Sequence, residues 1–159
     1  MNAPNAPFQG VATPETLRAQ FDADREARFT GGAPAMVPVV TSEVNGVAAL
    51  PTADSWEWFT QTARTRAPAW RNQVTLRTVE MLGEYEPGSY IDRLSPTPLL
   101  MVIADGDHLA VADEAFAAYN RALEPKRLVI LKGGHFDAYV KAFEHSSSAA
   151  RDWFVEHLA

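Results

Sequence analysis

The chain has 159 residues, 47% hydrophobic and 21% charged, which is the balance of a globular protein of one domain or a domain with a flap. A formal net charge of −6 argues against nucleic acid or an anionic membrane as partner, and the absence of cysteine removes disulfides, thiolate metal sites and Cys nucleophiles together. No apolar run approaches the roughly 20 residues needed to cross a bilayer, and MNAPNAPFQG lacks the basic start and apolar stretch of a signal peptide, so the expected location is cytoplasmic.

Residues 1–12, rich in Pro and Asn, read as a flexible arm. Thr13-Pro14-Glu15 places a hydroxyl, a proline and an acid where a helix begins. That helix is predicted to reach Phe29 and stop at Gly31-Gly32, with Leu17, Phe21 and Phe29 (flanked by Ala27 and Arg28) as its thin apolar stripe. Residues 36–50 are β-like, with a tight turn at Asn45-Gly46, and Pro38 confines them to an edge or a loop. Thr52 or Asp54 caps a second helix to about Arg66, carrying Trp56, Trp58 and Phe59. A third helix is predicted after Pro68, with Trp70, Val74, Val79 or Thr78, and Met81 or Leu82 in spacing and Gly83 as its end. Thr97–Ala104 is an almost unbroken apolar run, as in a strand buried on both faces. Residues 110–123 carry Ala112, Phe116, Tyr119 and Leu123 on one helical face. Lys126–Lys132 is a second strand closed by Gly133-Gly134. Residues 137–158 then form a long helix with Tyr139 or Val140, Phe143, Ser147, Ala150, Phe154 and Leu158 on its packed face. Strand–helix–strand–helix implies a parallel pair joined by a right-handed crossover.

In open parallel sheets, reactive groups sit just past the carboxyl ends of strands. The first strand here runs into Asp105-Gly106-Asp107-His108, and the second into Gly133-Gly134-His135-Phe136. Neighbouring strands would set Asp107 beside His135. An aspartate in that place holds an imidazole in one tautomer and stabilises the imidazolium formed when the ring takes a proton.

From the apolar strand before Asp107, Glu124-Pro125-Lys126 before the next strand and Gly-Gly-His-Phe after it, the chain resembles the C-terminal part of an α/β-hydrolase, nearest the dienelactone-hydrolase-like and acyl-esterase branch. The likeness covers about residues 95–158 and extends more loosely over 14–95, where DREARFTGG, Trp70-Arg71-Asn72 and the tryptophans are similar to a helical cap. It implies a truncated α/β-hydrolase-like fold: a cap-like region over 13–94, then two parallel strands with flanking helices over 95–159. It also implies Asp107 as the acid and His135 as the base of a catalytic triad. The family nucleophile stands on a Gly-x-Ser-x-Gly elbow, and no such motif occurs in this sequence. The resemblance therefore implies hydrolysis of a carboxylic ester or lactone, acyl lactones included, with the Asp–His pair as general base on water. The alternative is a non-catalytic remnant that binds an acyl ligand or another chain.

Other groups carry competing readings. Trp56, Trp58, Phe59 and Trp70 can line an acyl pocket or simply form core. Ser55 is the cap serine to consider as a replacement nucleophile. Asp105, Asp107 and Asp113 are oxygen ligands of the kind Ca²⁺ takes, although Leu109 stands where an EF-hand needs a ligand; otherwise they are an acidic strand end and helix start. No other cofactor is implied. His108, His145 and His157 read as surface residues. A sheet of two strands leaves an apolar edge exposed, which predicts a homodimer through that edge unless residues 36–50 cover it.

Overall fold

The structure, a computed structural model, describes residues 14–44 and 46–158. The arm expected over 1–12, Thr13 as a helix cap and Asn45 of the expected tight turn lie outside those residues. The chain forms two compact units, Met1–Tyr85 and Glu86–Ala159.

In the first unit, α1 (Pro14–Phe29) turns Leu17, Gln20, Phe21, Asp24 and Arg28 toward the protein. That set follows helical spacing but includes a carboxylate. Asp24 is buried because its oxygens are matched: Oδ1 accepts the Ala35 N–H at 2.7 Å and Oδ2 accepts Arg28 Nε at 2.8 Å. Phe29, read as part of the apolar stripe, falls on the opposite side and is 94% exposed. The helix ends where the Gly32 N–H returns to the Ala27 carbonyl at 2.8 Å, as the paired glycines suggest.

Residues 36–50 are mostly loop rather than strand. Only β1 (Met36–Val37) is extended in a ladder, antiparallel to β2 (Val74–Thr75), with Met36 opposite Thr75. The loop beyond closes on itself through Ala49 N–H to Pro38 C=O at 2.9 Å and Leu50 N–H to Val39 C=O at 2.8 Å. The second helix, α2 (Ala53–Thr65), stands where expected. The third does not start after Pro68. Trp70–Gln73 are irregular, with a bend at Asn72, Val74 joins β2, and α3 (Leu76–Glu84) begins only after Thr75, whose Oγ1 accepts the Thr78 N–H at 3.3 Å. Gly83 lies inside that helix rather than ending it. The physical reason is Asn72. Its side chain accepts the Val40 N–H and donates to the Val40 C=O, both at 2.9 Å, which commits this stretch to the Val37–Val40 segment instead of to a helix.

In the second unit, a 3-10 helix (Pro87–Arg93), absent from the sequence reading, precedes β3 (Leu99–Ala104). Then come α4 (Ala112–Arg121), β4 (Lys126–Leu131), a short 3-10 helix (His135–Tyr139) and α5 (Phe143–Leu158). Strands β3 and β4 pair in parallel, from Leu99 with Lys126 to Ala104 with Leu131. Alternation sends Lys126, Leu128 and Ile130 toward α4, where Lys126 Nζ donates to the Tyr119 and Ala122 carbonyls at 2.8 and 2.7 Å. Arg127, Val129 and Leu131 face α5, where Arg127 bonds Glu156 and lies over the Trp153 ring. The pair is thus sandwiched between two helices.

Three expectations change here. The strands are not buried along their length: Ile103, Ala104 and Leu131 are buried, but Ile130 is half exposed, because among the described residues the sheet has only two strands. On α4, Ala122 ends the buried face and Leu123 points outward. The last helix starts at Phe143, not 137, and its inward residue is Trp153, while Phe143, Phe154 and Leu158 are exposed. Trp153 under Arg127, together with Ser146 Oγ donating to the Ala138 carbonyl at 2.8 Å, fixes that rotation.

Candidate active site

The two strand ends approach each other through glycine. The Asp105 N–H donates to the Leu131 carbonyl and the Gly106 N–H to the Gly133 carbonyl, both at 2.9 Å. A Cβ on Gly106 would lie 2.9 Å from that Gly133 oxygen, so the ladder can continue past the strands only with glycine there. Gly133 itself has φ near 127°, and a Cβ on it would collide with the Asp137 carboxylate. These two positions bring the Asp107 and His135 loops side by side.

His135 Nδ1 lies 2.8 Å from Asp107 Oδ2. The other oxygen of Asp107 accepts the N–H groups of Leu109 and Ala110, each at 2.9 Å. The carboxylate is therefore held from three directions, with its side chain 11% exposed. The imidazole is 26% exposed and packs edge-on against Phe136, with Tyr139 further along the same turn. An ionised Asp107 keeps the proton on Nδ1, which leaves Nε2 as the nitrogen able to take a proton from a bound reactant.

Two further carboxylates shape the rim. Asp137 Oδ2 accepts the Gly134 N–H at 2.9 Å and Oδ1 pairs with Lys141 at 2.9 Å. The Lys141 hydrogen bond, aided by the Gly134 N–H, holds the Asp137 carboxyl below the usual carboxylate range. Asp105 is bonded to Lys132, which lowers its pKa in the same way, and it also accepts the Gly133 N–H. Sequence reasoning missed Asp137. The available signal was an acid at the third position of the turn that begins after Gly134, where it can reach back to an unpaired N–H.

The aspartates weighed as calcium ligands have other engagements. Asp105 bonds Lys132, Asp107 bonds His135, and Asp113 lies exposed in the first turn of α4. Among the described residues no group of three or more His, Asp or Glu side chains is placed to hold a metal ion. His108 and His145 are exposed, whereas His157 is half-buried, its ring centroid 3.9 Å from that of Trp153, so it is not the surface residue expected. In the first unit, Trp58 meets Phe59 edge-on at 5.0 Å and Phe59 meets Trp70 at 5.6 Å, with Trp56 half-buried on the same helix as the first two. Ser55 is fully buried, its hydroxyl 2.6 Å from Thr52 Oγ1, a position no substrate carbonyl can reach. Among the described residues, no helix is long and apolar enough to cross a membrane.

No protein-family profile matches the chain. It is similar to the thiohydrolase of Eupenicillium brefeldianum, 31% identical over 137 residues, which is 84% of this chain and 44% of that protein. It is also similar to the polyketide transferase of Gibberella fujikuroi, 30% identical over 115 residues, covering 72% of this chain and 35% of the relative. The crystal structure of the alpha/beta hydrolase GrgF from Penicillium sp. sh18 superposes with a TM-score of 0.73 over 90% of this chain and 49% of that one, at 24% identity. The chain spans less than half the length of these two curated relatives. The fold is that of part of an α/β-hydrolase, with the parallel pair and its flanking helices as its recognisable portion.

Proposed function

We propose that the chain carries the acid–base half of an acyl-transfer centre and that it hydrolyses a carboxylic ester, lactone or thioester. The observation that carries this reading is the 2.8 Å contact between His135 Nδ1 and Asp107 Oδ2 at the carboxyl ends of adjacent parallel strands. The names of the relatives, a thiohydrolase and a polyketide transferase, support an acyl substrate and extend the class to sulfur esters.

In this reading His135 Nε2 takes a proton from water as the water oxygen bonds to the carbonyl carbon. The tetrahedral adduct collapses, the bond to the leaving oxygen or sulfur breaks, and the imidazolium returns its proton to the leaving group. Asp107 stays ionised throughout and stabilises the charged ring. General base assistance of this kind contributes about 10²–10⁴-fold.

The test is turnover of p-nitrophenyl esters, a lactone and an acyl thioester by the chain and by His135→Ala. Loss of at least about 10²-fold in the variant supports the reading; unchanged turnover overturns it. A chain that binds acyl ligands saturably and turns over none of them has the non-catalytic role instead.

A further inference from the structure

A cavity of about 560 Å³ lies in the second unit, on the α4 side of the sheet. That volume falls within the roughly 300–1,000 Å³ of small-molecule sites. Met101 of β3 forms part of its lining, and Tyr90, Ile91 and Leu94 close it from the 3-10 helix and the residue after it. On the remaining side, Val111, Ala115 and Ala118 stand at successive turns, and the two alanines leave open the space that a leucine would fill. The main polar group near this wall is already used: the Gly88 carbonyl accepts Arg121 at 3.0 Å. The charged residues of the lining, Glu86 and Glu114, are both acidic and exposed, so they stand at its margin.

The cavity and the Asp–His pair share one turn of chain. Asp107 Oδ1 binds the N–H of Ala110, and Ala110 and Val111 both line the cavity. Four residues of chain span at most about 14 Å. The cavity wall at Ala110 is thus bonded directly to the carboxylate that holds His135.

We propose that this cavity is the acyl subsite of the Asp107–His135 centre and that it takes a neutral aliphatic chain. The site rests on the hydrolase reading for its role, but its ligand class follows from its walls. Apolar lining rewards burial of methylenes. Two carboxylates at the margin oppose a second anion, so a free fatty acid is disfavoured against the same chain without charge.

Binding of the neutral fluorophore N-phenyl-1-naphthylamine is measured for the chain, for Ala115→Leu and for His135→Ala, with 1-decanol and decanoate as competitors. The proposal expects saturable binding, displacement by 1-decanol at least tenfold better than by decanoate, and wild-type affinity in His135→Ala. Ala115→Leu fills the cavity, so it should bind the probe at least tenfold more weakly while its Tm is no lower than that of the wild type. A misfolded variant would lower Tm; in that case Val111→Phe, which fills the space from the other end, decides. Undiminished probe binding in the filled variants, or equal displacement by the two competitors, overturns the proposal. Saturable binding without turnover of any ester removes the hydrolase reading and leaves an aliphatic site. Turnover without saturable binding removes the subsite and leaves the hydrolase.

Discussion

The two units are held together by different means. The second is built on a six-residue parallel ladder with a helix on each face and a small apolar core of Ile103, Ala104, Ala112, Ala122, Leu131 and Trp153. Among its described residues the first has only a two-residue ladder, and its Val37–Val40 core is anchored by side chains that reach far along the sequence. Asn72 spans 32 residues to Val40, and Asp24 spans 11 to Ala35. Regular periodicity thus organises the unit with the Asp–His pair, and isolated polar anchors organise the other. A site that must hold two side chains within a hydrogen bond is better placed on the former, because a ladder fixes both loop origins at once.

The largest expected effect is at that pair. Asp107→Asn keeps the shape but removes the charge that fixes the tautomer, so turnover should fall by about 10²–10⁴-fold, close to the loss in His135→Ala. Near-additive losses in the double variant would break the claim that the two act as one unit. Next comes the core of the same unit. Trp153→Ala should cost about 3–5 kcal/mol in denaturant unfolding, whereas Phe154→Ala, one residue on and mostly exposed, should stay within about 0.5 kcal/mol. Equal costs would restore the helix rotation read from the sequence.

That contrast shows what was legible. Both strands, their parallel pairing and the placement of Asp107 beside His135 follow from apolar runs that end in Asp-Gly-Asp and Gly-Gly-His, since adjacent parallel strands must deliver their ends to one rim. The rotation of α5 did not follow, because the stripe through Phe143, Phe154 and Leu158 is as apolar as the one through Trp153. Only the tertiary partners Arg127 and Ala138 choose between them. In the first unit the third helix was misplaced because Trp70 and Val74 keep helical spacing, while the competing preference lies in one amide 32 residues from its partner. The cavity was invisible for a related reason: alanines at 115 and 118 read as good helix formers, and nothing local reveals that the space beside them is empty.

The anchors of the first unit should be individually costly. Asn72→Ala leaves both backbone groups of Val40, itself 1% exposed, without their partner. Each open group costs about 1–3 kcal/mol, so a loss of roughly 2–6 kcal/mol is expected. A change under about 0.5 kcal/mol for Asn72→Ala, the range of ordinary surface substitutions, would mean that the polar anchors do not organise this unit.

The smallest effect concerns the turn that carries His135. Asp137 has its pKa lowered by Lys141 and the Gly134 N–H, so in the folded chain it releases its proton more readily than in the unfolded chain. A depressed carboxyl contributes stability that is fully present above the unfolded value, roughly pH 4, and that is lost as pH falls through the folded value. Asp105, lowered by Lys132, acts with the same sign in the same window. Wild-type Tm should therefore drop on going from pH 5 to pH 3, and Asp137→Asn should drop by less over that interval while starting lower at neutral pH. If the two proteins fall in parallel, the Asp137 carboxylate does not brace the turn. The orientation of His135 would then rest on Asp107 and the packing of Phe136 and Tyr139. A variant that falls less in Tm yet also loses ester turnover at neutral pH would instead make Asp137 a positioning residue for His135, acting through the Gly134 N–H.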